Sequence, residues 1–179
     1  MKKLYSFLLT LLCTIGAWAT PTTTDWVDYS TSFSSQLTSE RPSLSASIDD
    51  YPTLTLARTE GTGNIAWATV SSYKRPWLRG GNKFTISVAG GKIVGYEIVT
   101  RGMAASGVTF APFQFEYGME GSLQSSEMQQ KDVDKTISVD SYDANSIVLD
   151  LTAWNPTGNQ GLVITCLLYT SPSPRDGAT

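Results

Sequence analysis

Histidine is missing from this 179-residue sequence, and its absence removes a large part of enzyme chemistry. Histidine is the commonest general base near neutral pH and the commonest nitrogen ligand for zinc, copper and iron. Without it, Ser-His-Asp and Cys-His catalysis are both excluded. Paired carboxylates for glycoside hydrolysis cannot be named from spacing, because such pairs converge through the fold. No catalytic residue is therefore assigned.

Cysteine is almost as scarce. The chain has two, Cys13 and Cys166, and neither lies within residues 20–165. Although export would permit disulfides, this region has no thiol with which to form one. We therefore expect residues 20–165 to depend on a packed core alone, with a stability that does not respond to reductant.

Positive charge is in short supply over the same residues. Ten Lys and Arg stand against fifteen Asp and Glu between residues 20 and 165, a formal charge of −5. Such a surface offers the phosphate backbone no broad basic footprint, and no standard DNA- or RNA-binding motif occurs. Nucleic acid is therefore not an expected partner.

No apolar run reaches the roughly 20 residues that a bilayer-spanning helix needs. The longest apolar stretch, residues 4–16, follows two lysines and ends before an Ala-Trp-Ala triplet at residues 17–19. A charged start, a short apolar segment and an A-x-A site, in this order, are typical of a secretory signal peptide. We predict cleavage of residues 1–19, a secreted or cell-surface location, and no transmembrane segment after cleavage.

Sustained helical periodicity is also absent. Short segments rich in β-branched and aromatic residues instead alternate with glycine-rich breaks, a pattern typical of an all-β sandwich or barrel. The predicted fold is an antiparallel β-sandwich, jelly-roll-like, with about eight strands. The predicted strands cover residues 53–58, 64–73, 83–89, 92–101, 108–117, 135–139, 146–153 and 161–165.

The clearest local signal surrounds Gly90 and Gly91. Phe84, Ile86 and Val88 alternate with polar residues just before this glycine pair. Because glycines supply the positive φ angles of a two-residue turn, the pattern predicts a hairpin here. Residues 121–135, rich in Gln, Ser and acidic residues, are instead predicted to form a long loop.

Several aromatic residues are predicted to lie in the core. Phe113, Phe115 and Tyr117 alternate with polar residues and would share one strand face. Core packing is the favoured role for these rings, with a ligand platform as the alternative. Trp67 lies within a predicted strand and is also expected in the core.

The chain divides into four segments. These are the signal peptide at residues 1–19, a Thr- and Ser-rich lead-in at 20–47 with room for one edge strand, a β-sandwich domain at 48–165, and a tail at 166–179. Residues 166–176 resemble one reading frame through a transposase sequencing adapter, which implies a non-native tail and a natural protein that continues past residue 165. The alternative is a native Ser/Pro-rich linker. Since Pro172 and Pro174 oppose β pairing, we expect the tail to add almost nothing to the fold, at most extending the last strand by a few residues.

Two strand phrases resemble a known group of proteins. Residues 91–98 (GKIVGYEI) and 159–165 (NQGLVIT), behind this signal peptide, resemble the N-terminal β-sandwich modules of large exported proteins from gut Bacteroidetes. Some of those modules precede glycan-degrading domains such as sialidases. The resemblance implies a β-sandwich fold and a gut bacterial source. No sialidase aspartate box (Ser-x-Asp-x-Gly-x-Thr-Trp) occurs, so a catalytic domain would lie downstream.

The densest unusual cluster is residues 73–81 (YKRPWLRGG), predicted to lie between two strands. Loops on a sandwich carry its binding chemistry, and a Trp ring flanked by Arg donors suits a sugar ring or an acidic sugar carboxylate. We name Arg75, Trp77 and Arg79 as candidate ligand-binding residues. The alternative is structural: Trp77 caps the core while the cations remain solvated.

Metal and cofactor sites are not assigned. Asp49 with Asp50, and Asp132 with Asp134, offer oxygen ligands for calcium, but neither pair has the spacing of a calcium-binding loop. Solvated charge is the favoured reading for both pairs. Trp154 stands in a turn rich in Asn, Pro and Gly.

These patterns lead to three hypotheses about function. The first is a noncatalytic accessory module of an exported bacterial protein, which binds glycan or positions a downstream domain of the same polypeptide. The second is a structural or adhesive surface module without a small ligand. The third is a fragment of a glycoside hydrolase. The fold alone does not decide among them.

Overall fold

In the computed structural model, the chain folds into two antiparallel β-sheets around one core. The structure describes residues 27–29, 31–48, 51–126, 128–155 and 159–170. No helix in these ranges is long and apolar enough to cross a membrane. The strands are β1 (Val27–Asp28), β2 (Ser43–Ala46), β3 (Leu54–Glu60), β4 (Ala66–Val70), β5 (Tyr73–Arg79), β6 (Lys83–Val88), β7 (Gly95–Ala104), β8 (Glu116–Met119), β9 (Ser122–Ser125), β10 (Asp134–Val139), β11 (Ser146–Asp150) and β12 (Gln160–Thr170), and a short 3-10 helix covers Ser34–Gln36.

The described strands form two six-stranded sheets. Sheet I has the order β10-β7-β12-β5-β4, with β1 paired to β12, and sheet II has the order β2-β3-β6-β11-β8-β9. The predicted all-β antiparallel sandwich is confirmed. It has more strands than expected, since β1, β2 and β9 are only two to four residues long. The predicted strand at residues 64–73 is also divided, because Ser71 and Ser72 adopt positive φ and form a turn.

Alternating side chains on the central strands build the core. Phe84 and Ile86 of β6 are fully buried, and Tyr96 and Ile98 of β7 meet them from the other sheet. Burial of a Phe or Ile side chain contributes roughly 1.5–3 kcal/mol. Trp67 packs against this core, as predicted.

The hairpin predicted at Gly90 and Gly91 is wrong. β6 lies in sheet II between β3 and β11, whereas β7 lies in sheet I between β10 and β12. A type I′ turn needs positive φ at both central residues, but of this pair only Gly90 adopts it, with φ +75°. The chain therefore crosses from one sheet to the other, and the fully buried Ile93 holds the crossing by bridging to Ala144.

The lead-in belongs to the folded unit. β2 forms an edge of sheet II, and β1 joins sheet I beside β12. Between these strands, Tyr29, Phe33 and Leu37 are buried in the core. Tyr29 Oη also donates a hydrogen bond to the carbonyl of Pro52 at 2.8 Å. The core therefore includes residues that precede residue 48.

The last strand continues a few residues past 165, as the sequence analysis allowed, but this extension adds more to the fold than expected. After a bulge between Ile164 and Cys166, residues 166–170 continue the ladder with β7 in the interior of sheet I. Leu167 has 0% exposure and belongs to the core. Its burial follows from strand alternation, which the two tail prolines do not affect because they come later in the chain. The non-native origin of the tail stays a prediction.

β8 and β9 form a hairpin that turns at Glu120 and Gly121, where Gly121 has φ +81°. The single long loop predicted for residues 121–135 therefore contains β9 and the start of β10. The sequence does not reveal β9 because this strand has no buried side chain and hence no apolar alternation.

Candidate functional site

Residues 73–79 form a strand and not the predicted loop. β5 pairs with β4 on one side and with β12 on the other. Because side chains alternate along a strand, Arg75, Trp77 and Arg79 share the face opposite the fully buried Leu78. The structure therefore brings all three candidate residues together on the side of sheet I that points away from the core, which we call the outer face.

Trp77 lies against the backbone of Gly161 in β12. A Cβ atom at Gly161 would collide with Nε1 and Cδ1 of the indole, so glycine is needed to make room for the ring. The Trp77 Nε1 group is buried and has no hydrogen-bond partner among the described residues. Trp77 does not belong to the core cluster or to the described hydrophobic residues packed against it. The core-capping role considered for Trp77 is thus not the one it has.

Arg79 is already engaged. Its guanidinium carbon lies 5.6 Å from the centroid of the Trp77 ring, and its Nη2 forms a salt bridge with Glu40 from the lead-in. A cation over an exposed aromatic ring gains about 0.5–1 kcal/mol. Arg79 therefore ties the lead-in to the outer face and covers part of the Trp77 ring.

Arg75 is in a different situation. Its guanidinium carbon lies 5.2 Å from the Tyr73 ring centroid. Its Nε and Nη1 atoms are buried and lack a hydrogen-bond partner among the described residues. An unsatisfied buried donor costs about 1–3 kcal/mol, and arginine cannot escape this cost by losing its proton. Arg75 is therefore the cation of the outer face that gains most from an added acceptor.

The remaining charges nearby are paired or acidic. Arg101 of β7 donates two hydrogen bonds to Asp134 of β10, at 2.7 and 2.8 Å. This bidentate contact lowers the pKa of Asp134 and raises that of Arg101. Burial raises the pKa of the Cys166 thiol, aided by nearby carboxylates and opposed by Arg75.

The other residues named from the sequence lie elsewhere. Trp154 is buried, and its ring stacks on Phe113 with centroids 3.6 Å apart and planes 5° from parallel. Phe113 and Phe115 are buried as well, which confirms their predicted core role. The strand predicted at residues 108–117 is wrong over most of its length, because β8 begins only at Glu116 and Phe113 forms an isolated bridge. Asp134 is held by Arg101, while residues 49 and 50 lie outside the described residues. The part of the chain that the structure describes holds no group of three or more metal-ligating side chains.

A second concave feature has no counterpart in the sequence analysis. A half-open cavity of about 240 Å³ lies where β10 ends, beside the first residues of β7 and the β8–β9 hairpin. Its lining comes from three separate stretches of chain, which only the fold brings together. Tyr142, an aromatic residue between two predicted strands, is the one local signal that points to it.

Comparison with known proteins adds little. No protein-family profile and no curated protein matches this chain. Among solved structures, it is similar to the salicylyl-acyltransferase SsfX3 from a tetracycline biosynthetic pathway, with 14% sequence identity and a TM-score of 0.38 over 72% of this chain. The chain spans 39% of the length of that protein. A likeness this distant carries no argument about function.

Proposed function

We propose that this chain is a noncatalytic accessory module of an exported bacterial protein and that its outer face binds an acidic glycan. The observation that carries the proposal is the guanidinium of Arg75, a permanent cation with two unpartnered buried nitrogens, two positions from Trp77 on the same strand face. The exported bacterial setting rests on the predicted signal peptide and on the resemblance of the strand phrases.

The ligand class follows from the chemistry of these side chains. A guanidinium matches a carboxylate in shape and charge, and such charge-assisted hydrogen bonds are roughly twice as strong as neutral ones. The apolar ring of Trp77 offers a surface to the C–H face of a sugar. An acidic sugar presents a carboxylate and such a C–H face on one ring.

The site is also well supported. Trp77 pairs with both β4 and β12, and Arg75 pairs with Ala68 of β4, so both side chains project from backbone that the sheet holds in place. A site held in place before binding loses less conformational entropy when its ligand arrives. Arg79 can turn away from Trp77 at small cost, because an exposed ion pair such as the one with Glu40 is worth about 0–1 kcal/mol.

One observation favours a second candidate function, a structural module without a small ligand. Arg79 contacts both the Trp77 ring and Glu40 of the lead-in. Under this alternative, the aromatic and cationic cluster serves only to hold the lead-in against sheet I. Under this alternative, Trp77→Ala lowers stability and changes no binding property.

An array of matched neutral and acidic oligosaccharides tests the proposal. We expect the protein to bind acidic glycans. The affinity should fall about ten- to a hundredfold in Arg75→Gln, because this variant loses a charge-assisted hydrogen bond. Lys131→Gln is the matched control, since it removes the same charge from an exposed loop. Failure of the folded protein to bind any acidic glycan, or equal losses in both variants, would contradict the proposal.

A further inference from the structure

The cavity beside β10 combines aromatic and hydrogen-bonding walls. Tyr96 and Tyr142 both belong to the lining, with their rings in a T-shaped contact at 4.9 Å between centroids. Ser122 and Gln124 of β9 and the exposed Asp143 belong to the lining as well. The walls thus offer ring surface together with a hydroxyl, an amide and a carboxylate.

These walls are held in place by contacts outside the cavity. The backbone N–H of Tyr142 donates to the carbonyl of Val94 at 2.8 Å, and the N–H of Ile93 donates to Ala144 at 2.7 Å. Tyr142 Oη donates to the carbonyl of Ser146 at 2.7 Å. The loop between β10 and β11 is therefore pinned to the start of β7, and the cavity does not need a ligand to form.

The charge of the cavity limits what it can hold. Asp143 is the one lining residue with an acidic or basic side chain, and its Oδ1 lies 2.6 Å from Nζ of Lys92. The Tyr142 phenol is neutral at physiological pH, as an ordinary tyrosine is, and burial raises its pKa further, to about 12. An anionic ligand would meet a carboxylate here and no arginine or lysine of the lining, unlike on the outer face.

Size narrows the choice further. Pockets for drug-sized ligands measure about 300–1,000 Å³. The present cavity of about 240 Å³ is therefore suited to one small ring. Hydroxyl, amide and carboxylate groups pair with ligand hydroxyls, while an aromatic wall packs against ring C–H groups.

From these observations we infer that the cavity is a second binding site, for a neutral, hydroxyl-rich ligand the size of one sugar ring. It is independent of the acidic-glycan site. β12 and β7 separate β5 from β10, which places the two sites about 14 Å apart or more across sheet I.

The test uses galactose and galacturonate, which differ only in the oxidation of C6. Titration of ¹⁵N-labelled protein with galactose is expected to give saturable amide shifts at Tyr96, Gln124 and Asp143, with a dissociation constant on the order of millimolar. Galacturonate is expected to shift these signals less. Gln124→Ala changes an exposed strand position and should weaken galactose binding about fivefold, because one hydrogen bond to the ligand is lost.

Ser141→Trp places a large ring at the cavity wall and should abolish these shifts, while Ser138→Trp, on exposed β10 surface outside the cavity, should leave them intact. Absence of saturable shifts with galactose in the folded protein overturns the inference, as does their persistence in Ser141→Trp. Either result leaves the acidic-glycan proposal standing, because that proposal concerns different residues and a charged ligand.

Discussion

Replacing Leu167 by alanine measures how much β12 contributes beyond residue 165. Leu167 has 0% exposure and lies in the core cluster, so its truncation leaves a cavity as well as losing apolar burial. Leu→Ala changes at such positions cost about 2–5 kcal/mol. For a domain of this size, that loss corresponds to a fall in Tm of about 4–20 °C.

Leu168→Ala is the matched control, because it makes the same chemical change one residue later, where the side chain lies on the opposite face and is only half-buried. Urea unfolding with an unchanged m value is the assay, since it separates lost stability from a change in the unfolded state. We expect Leu167→Ala to cost at least twice as much as Leu168→Ala. Equal costs, or unchanged stability when residues 166–179 are deleted, would refute the placement of β12 in the core.

Two further predictions concern polar contacts. Because the pKa of Asp134 is lowered below its ordinary value of 3.8 when folded, its pairing with Arg101 stabilises the protein above that pH and is lost as the pH falls through the lowered pKa. Asp134→Asn should therefore be less stable than the parent near neutral pH and approach it in acid. Urea midpoints at a series of pH values check this, and a constant difference for Asp134→Asn would count against it. Asn82 is buried, its Nδ2 donates to two backbone carbonyls at 3.0 and 2.8 Å, and its Oδ1 accepts from the Gly63 N–H at 2.7 Å. Asn82→Ala should cost about 1–3 kcal/mol in urea unfolding, and a cost no greater than that of the exposed Asn145→Ala would contradict this role.

Alternation along single strands could be predicted from the sequence. The apolar positions of β6 face the core, because side chains of a strand alternate between its two faces. Phe113 and Phe115 are also buried, although they precede β8 and form only an isolated bridge, at Phe113. The sandwich class follows from many such strands separated by glycine-rich breaks.

Pairing between strands could not be predicted in the same way. The glycines at 90 and 91 permit a tight turn, but whether the chain turns back or crosses to the other sheet depends on which neighbours β6 and β7 already have. Leu167 shows the same limit. Leu167 is buried because this part of β12 pairs with β7, where Ile98 lies opposite it. No local sequence pattern shows that β7 is available for this pairing.

The sequence analysis named the residues of the candidate site but placed them in a loop and not in a strand. Lysine, arginine and proline in residues 74–79 suggest a loop, yet β5 is a strand whose charges lie on the outer face. Regular alternation is what gathers Arg75, Trp77 and Arg79 on one face. The cavity at Tyr96 and Tyr142 could not be predicted at all, because its walls are distant in the chain.

We propose that the guanidinium N–H groups of Arg75 donate hydrogen bonds to the carboxylate of an acidic glycan. The most direct measurement follows the Arg75 Nε–H resonance during titration with an oligogalacturonate, with a neutral galactose oligomer of equal length as the control. We expect a saturable downfield shift of this resonance, accompanied by amide shifts along β5 and β12, with the acidic oligomer alone. An unmoved Arg75 resonance while the oligogalacturonate binds elsewhere, or equal shifts with both oligomers, would contradict it.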